Sequence, residues 1–222
     1  MKFRIHPKPP SQTPTPDTIQ VRPASVKVTT RPLRVLDFDI ENRPLTYLGS
    51  DFTTAEVTAI AWGWVDRPED VTVYLLGETE LQTILVEFLR AYEQADMVTG
   101  HYIKGHDLPM INGALMECQM GPLPDKMVQD TKVDLMRLKG LSRSQESLGA
   151  MFQLGHQKVV MNQSKWRAAN RLTPAGLAEV RARVVGDVQQ HIALRKELLA
   201  LGYLAPPTEW KSGAAKAEAY TT

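Results

Sequence analysis

Cysteine is almost missing from this chain: one residue, Cys118, in 222. A single thiol excludes an intramolecular disulfide framework and fits a reducing compartment. We expect Cys118 to be a small buried side chain on a helix. Neither it nor Ser147 sits in a recognisable nucleophile signature. Long apolar runs are also missing; nothing approaches the roughly 18 uninterrupted apolar residues that span a bilayer. The polar, proline-bearing start has no signal-peptide apolar region, so we expect a soluble, cytoplasmic protein without a membrane partner. An excess of either charge is absent too. Lys and Arg number 26 against 25 Asp and Glu, a net of +1, so overall charge announces no polyanionic partner. No internal repeat is visible.

The charges that are present are unevenly placed. Residues 1–36 hold Lys2, Arg4, Lys8, Arg22, Lys27, Arg31 and Arg34 against Asp17 alone, leaving an acidic remainder. Seven of the 15 prolines fall in residues 1–33 among Ser, Thr and Gln, a composition that buries too little apolar surface to fold by itself. We read 1–33 as a disordered basic arm, 34–204 as one domain, and 205–222 as a flexible tail in which Trp210 docks locally. At 43% hydrophobic residues, the middle segment suffices for one substantial core.

Hydrophobic period places the elements. Val35 to Glu41, Val57 to Val65 and Val71 to Leu76 read as strands, and Met97 to Gly100 as a short fourth. Leu81, Ile84, Leu85, Phe88, Leu89 and Tyr92 recur at helical spacing over about 80–94. A helix opens near Asp107 and runs to about Cys118, with Leu108, Ile111, Leu115 and Met116 on one face. Ser144 caps a short helix, and Thr173-Pro174 starts a long one that stops at Gly202. Strands lead and helices then alternate with strands, which describes an α/β fold: a mixed sheet whose first three strands form a meander, flanked by helices.

Four acidic residues sit in runs that otherwise look buried: Asp39, Glu41, Asp107 and Asp187. Such carboxylates are tolerated when paired, hydrogen-bonded or bound to metal. Asp39 and Glu41 are two apart on a strand and share a face. Asp37 shares it too, farther from the strand end where open α/β sheets hold ligands, and is a spare candidate. Asp187 lies on the edge of the stripe formed by Leu177, Val180, Val184, Val188, Ile192 and Leu199. Carboxylates converging from strand and helix repel one another unless cations intervene. An all-oxygen donor set suits Mg²⁺ or Mn²⁺ rather than zinc.

Asp39-Ile40-Glu41, the run Gly100-His101-Tyr102-Ile103-Lys104-Gly105-His106-Asp107-Leu108-Pro109, and Gly186-Asp187-Val188 together resemble the three motifs of the DEDD 3′–5′ exonucleases. Those are RNase H-like nucleases that include polymerase proofreading domains. The resemblance covers roughly residues 34–204. It implies an RNase H-like fold and two Mg²⁺ or Mn²⁺ ions held by Asp39, Glu41, Asp107 and Asp187. It further implies hydrolysis of the terminal phosphodiester at single-stranded 3′ ends of DNA, in replication, proofreading or repair, with a polymerase acting in trans. A catalytically degenerate module that binds nucleic acid or a polymerase, and an oligoribonuclease-type enzyme acting on RNA, share the same motifs.

Relatives place a tyrosine four residues before the last Asp, or a histidine five before it, to manage the proton of the attacking water. Here those positions are Arg183 and Ala182, and arginine cannot act as a base. His106, beside Asp107, and His191, one helical turn after Asp187, are the catalytic candidates to accept that proton; the alternative is that metal alone generates the nucleophile. Arg183 either pairs with Asp187 at i,i+4 or contacts a substrate phosphate. Tyr102 either stacks on a base or is a half-buried strand-end residue. Lys158, with Lys165-Trp166-Arg167, reads as a basic loop that holds a phosphate backbone and stacks a base on Trp166, unless Trp166 is a packing residue. Asp130 is expected to end a strand or cap a turn. Trp62 and Trp64 share one strand face and are expected to pack under a helix.

Overall fold

Alternation along one strand sets the architecture. In β1 (Val35–Pro44), Leu36, Phe38 and Ile40 point to one face of the sheet while Asp37, Asp39 and Glu41 point to the other. A computed structural model describes residues 31–45, 52–155 and 159–213; most of the basic arm and Lys158 lie outside the described residues. The larger of the chain's two units begins at Leu33.

β2 (Ala55–Trp64) pairs antiparallel with β1, and β3 (Val71–Leu75) antiparallel with β2, giving the expected meander. α1 (Leu81–Gln94) crosses over to β4 (Met97–Gly100), which lies parallel to β1. α2 (Asp107–Glu117) leads to β5 (Lys126–Asp130), parallel to β4. Then come α3 (Thr131–Leu135), α4 (Gln145–Met151), α5 (Gln163–Asn170) and α6 (Pro174–Ala200). β6 (Thr208–Trp210) closes the edge antiparallel to β5. The sheet order among the described residues is β3-β2-β1-β4-β5-β6, an α/β fold of the expected mixed kind.

Two faces of the sheet carry different cores. Leu36, Phe38, Ile40, Ile60 and Trp62 meet α1 and α2 through Ile84, Phe88, Leu108 and Ile111. The Trp62 ring stacks on Tyr74 at 5.6 Å and meets Phe88 edge-on at 5.8 Å, contacts worth about 0.5–1.5 kcal/mol each beyond their burial. On the opposite face β2 presents only Ala59, Ala61 and Gly63, and α6 settles close with Val184, Val188 and Ile192. Those small residues let α6 bring its polar edge down to the acidic side of β1.

Four sequence expectations change. Residues 208–210, read as tail, pair with β5; Trp210 docks because it packs against the α1 core. Residues 163–170, read within a loop, are helical, started by Asn162, whose side chain accepts from the Lys165 N–H. Met116 and Leu199, placed on buried stripes, are exposed. Cys118 ends α2 and is only partly buried.

Candidate active site

The acidic side of β1 meets the N-terminus of α2 and the middle of α6 in a small cleft of about 210 Å³. It lies toward the C-terminal ends of the parallel strands β1 and β4, where α/β sheets hold ligands. The β1–β2 register slips between Glu41 and Asn42, an irregularity of the kind that re-aims side chains beside sites. Asp39, Glu41, His101, Tyr102, His106, Asp107, Lys132, Arg183 and Asp187 all line the cleft. Larger hollows, about 480 Å³ beside Gln153 and Gln190 and about 640 Å³ between Phe52 and Met116, gather no such set of ligating groups.

One carboxylate oxygen from each of Asp39, Glu41 and Asp187 lies within 4.8 Å of the others. Donors that close, all hard oxygens, fit a divalent cation of the Mg²⁺ or Mn²⁺ class. Asp107 stands in the same wall, but its Oδ1 accepts from the Ile40 N–H at 3.2 Å, and its Oδ2 faces His106 Nδ1 at 3.4 Å. That backbone bond ties α2 to β1. Asp187 is held from behind, where Gln145 Nε2 donates to its main-chain carbonyl at 2.7 Å.

Arg183 enters among these acids. Its Nε pairs with Glu41, its Nη2 is 3.8 Å from Asp187 Oδ2, and its Nη1 donates to the Val159 carbonyl at 3.1 Å. Burial by itself would lower its pKa, but Glu41 and Asp187 overcome that and raise it. The i,i+4 contact of Arg183 with Asp187 is present, and Glu41, across the cleft, is the closer partner. His106 is partly exposed at the mouth. Its hydrogen bond to Asp107, aided by the charges of Asp107 and Glu41, raises its pKa against the opposing pull of burial.

His191 is not brought to the cleft. Its Nδ1 lies 2.5 Å from Asp37 Oδ2, its Nε2 2.9 Å from Thr131 Oγ1, and the ring is buried. The cause is spacing: four helical residues advance about 6 Å and two strand residues about 6.6 Å. Since α6 runs against β1, the step from Asp187 to His191 matches the step from Asp39 back to Asp37. Trp166 lies outside the cleft as well, with its ring 5.2 Å from the Arg183 guanidinium and its body against the α6 core.

Tyr102 adopts φ +80°, a region costly for a side chain of this size. The conformation is held by Asp130, whose carboxylate accepts from Tyr102 N and Lys104 N at 2.9 Å each while capping α3 through Val133 N at 3.1 Å. The expected strand end and cap are thus one residue. Lys132 Nζ sits 4.2 Å from the centre of the Tyr102 ring.

No protein-family model and no curated protein matches this sequence. A solved structure to which it is similar is the family B DNA polymerase from the hyperthermophilic archaeon Pyrobaculum calidifontis, with a TM-score of 0.59 and 19% identity. The match covers 78% of this chain and 25% of that one. At that identity the likeness shows the fold, in line with an RNase H-like sheet, and this chain spans about a quarter of that polymerase's length.

Two residues that line the cleft and one that braces it carry no sequence assignment. Lys132 and His101 line it, and Gln145 braces Asp187. His101 lay inside the quoted glycine-histidine run, and Lys132 directly follows Asp130-Thr131, so position in the motifs was the available signal. Nothing local marked Gln145, which reaches Asp187 from 42 residues away.

Proposed function

We propose that this chain is a metal-dependent 3′–5′ exonuclease that hydrolyses single-stranded DNA from its 3′ end. The observation that carries the reading is the convergence of Asp39, Glu41 and Asp187 oxygens within 4.8 Å, with Asp107 in the same wall. Divalent metal held there would activate water and steady the leaving 3′ oxygen. Asp39, Glu41 and Asp187 would hold the cation, and Asp107 fixes α2 against β1 through the Ile40 N–H. Tyr102 and Lys132 offer a stacking surface and a cation at the mouth, suited to a terminal nucleotide and its phosphate. The cleft's histidines are His101, bonded to Thr131, and His106, beside Asp107; we take metal activation as sufficient, with no side-chain base obligatory.

A second reading has one observation in its favour. The Arg183 contacts to Glu41 and Asp187 partly neutralise the ligands, as a degenerate module that binds nucleic acid or a polymerase would tolerate. One gel separates the two. A 5′-labelled single strand, as DNA and as RNA, is incubated with Mg²⁺ or Mn²⁺ and either the natural chain or Asp39→Ala. We expect a metal-dependent ladder on DNA from the natural chain and a loss of at least about 100-fold in Asp39→Ala. No ladder with either metal supports the binding module instead, and a ladder on RNA alone supports the oligoribonuclease-type activity.

A further inference from the structure

We infer that Arg183 occupies the place of a second cation, so that the cleft accepts one divalent ion beside a fixed guanidinium. The inference builds on the nuclease reading only in taking the carboxylates as the cation site. Its ground is the way the guanidinium is held. Glu41 takes Nε, the Val159 carbonyl takes Nη1, Asp187 faces Nη2 at 3.8 Å, and the Trp166 ring lies 5.2 Å from the guanidinium carbon. Four partners from β1, the segment before α5, α5 itself and α6 fix one side chain that is only 16% exposed. A surface ion pair needs none of this.

Position explains why the contact recurs on two ligands. Arg183 stands one helical turn before Asp187 and so projects toward the same cleft. Glu41 reaches it from β1, across the cleft. Two divalent ions side by side require shared carboxylates between them, and the guanidinium already engages Glu41 and Asp187 where such sharing would occur. Charge balance agrees. Arg183 and Lys132 offset two of the four carboxylates, and one divalent ion offsets the other two. A second ion would leave the cleft strongly cationic against a positive group that stays protonated at any working pH. The planar N–H fork gives a phosphate oxygen the directed, charge-assisted contact that a second ion would otherwise supply.

Binding stoichiometry tests this without reference to hydrolysis. The full chain, stripped of metal, is titrated with Mn²⁺ by calorimetry, and free Mn²⁺ is followed in parallel by electron paramagnetic resonance. We expect one Mn²⁺ per natural chain. In Arg183→Ala and in the bulkier Arg183→Met, we expect either a second equivalent or a first equivalent bound about tenfold or more tightly, because a neighbouring positive charge is gone. Circular dichroism and thermal melting establish that each variant is folded. Two ions, or none, in the natural chain overturn the inference whatever the variants do. Unchanged stoichiometry and affinity in both folded variants overturn it as well. The DNA ladder is scored separately: one ion with no hydrolysis removes the nuclease reading and keeps the Arg183 assignment, and two ions with hydrolysis does the reverse.

Discussion

Asp37 and Asp39 are two residues apart on the same face of β1, yet they meet different fates. Asp39 reaches the cleft, whereas Asp37 is fully buried against His191, with Oδ1 meeting no hydrogen-bond partner among the described residues. Burial pushes the Asp37 carboxyl above the ordinary range, and His191, with Arg195, pulls it back. Shared face and acidic character were legible in the sequence. Position along the strand, with Asp39 nearer the end where open α/β sheets hold ligands, already ranked Asp39 ahead of Asp37; that His191 would be the residue sealing Asp37 depended on how far α6 slides along β1, and no local pattern encodes that. His191→Ala should leave Asp37 buried without its main counter-group, at a cost of about 3–5 kcal/mol. A carboxyl with a raised folded pKa favours the fold at low pH and opposes it as pH rises through that value. Removing His191 raises the value further, so the deficit should be smaller near about pH 5 than near about pH 8. Urea unfolding at the two pH values measures this; an equal deficit at both would show that Asp37 is not the source.

At the scale of elements, the strands β1 to β4 and the helices α1, α2 and α6 were readable because each has a clear period and a chemical start or stop. Thr173 caps α6 through Gly176 N at 3.2 Å, with Pro174 in its first turn, as the sequence indicated. β6 and α5 were not readable, for opposite reasons. β6 has three residues, too few for a period, and exists because β5 offers it an edge. α5 has a polar, basic sequence with little apolar signal and depends on packing against α6. That packing is made backbone to backbone. A methyl group added at Gly176 would lie 2.3 Å from the Ala168 carbonyl carbon and 2.4 Å from its oxygen. Main chain cannot yield as a side-chain tip does, so Gly176→Ala should destabilise by about 1–3 kcal/mol, even though Ala is the better helix former by roughly 1 kcal/mol. Thermal unfolding reads the sign. A more stable variant would mean that α5 is not seated on α6, and with it would go the support that Trp166 gives Arg183.

For the whole molecule, the mixed sheet solves an assembly problem: acidic side chains drawn from β1, α2 and α6, nearly 150 residues apart in sequence, line one cleft toward the C-terminal ends of the parallel strands. Among the described residues, no helix is long and apolar enough to cross a membrane. On the proposed nuclease reading that arrangement leaves an electrostatic difficulty, because a substrate carrying a charge on every phosphate would approach a cleft rich in carboxylates. Arg183 and Lys132 relieve this inside the cleft, and the basic residues of 1–36 can relieve it at longer range. Those residues number seven against one acid, and they stand ahead of an acidic remainder. Attraction of that kind works through counterion release, which for single strands contributes about 0.7 to the salt slope per phosphate neutralised. Deleting residues 1–33 removes six of the seven and keeps Arg34. The truncated chain should bind single-stranded DNA more weakly at low salt, and its affinity should fall less steeply as salt rises. Fluorescence anisotropy across a salt series, with Asp39→Ala in both chains to prevent degradation, gives both slopes. Equal slopes would show that the arm carries no phosphate contacts and that the cleft's own cations suffice.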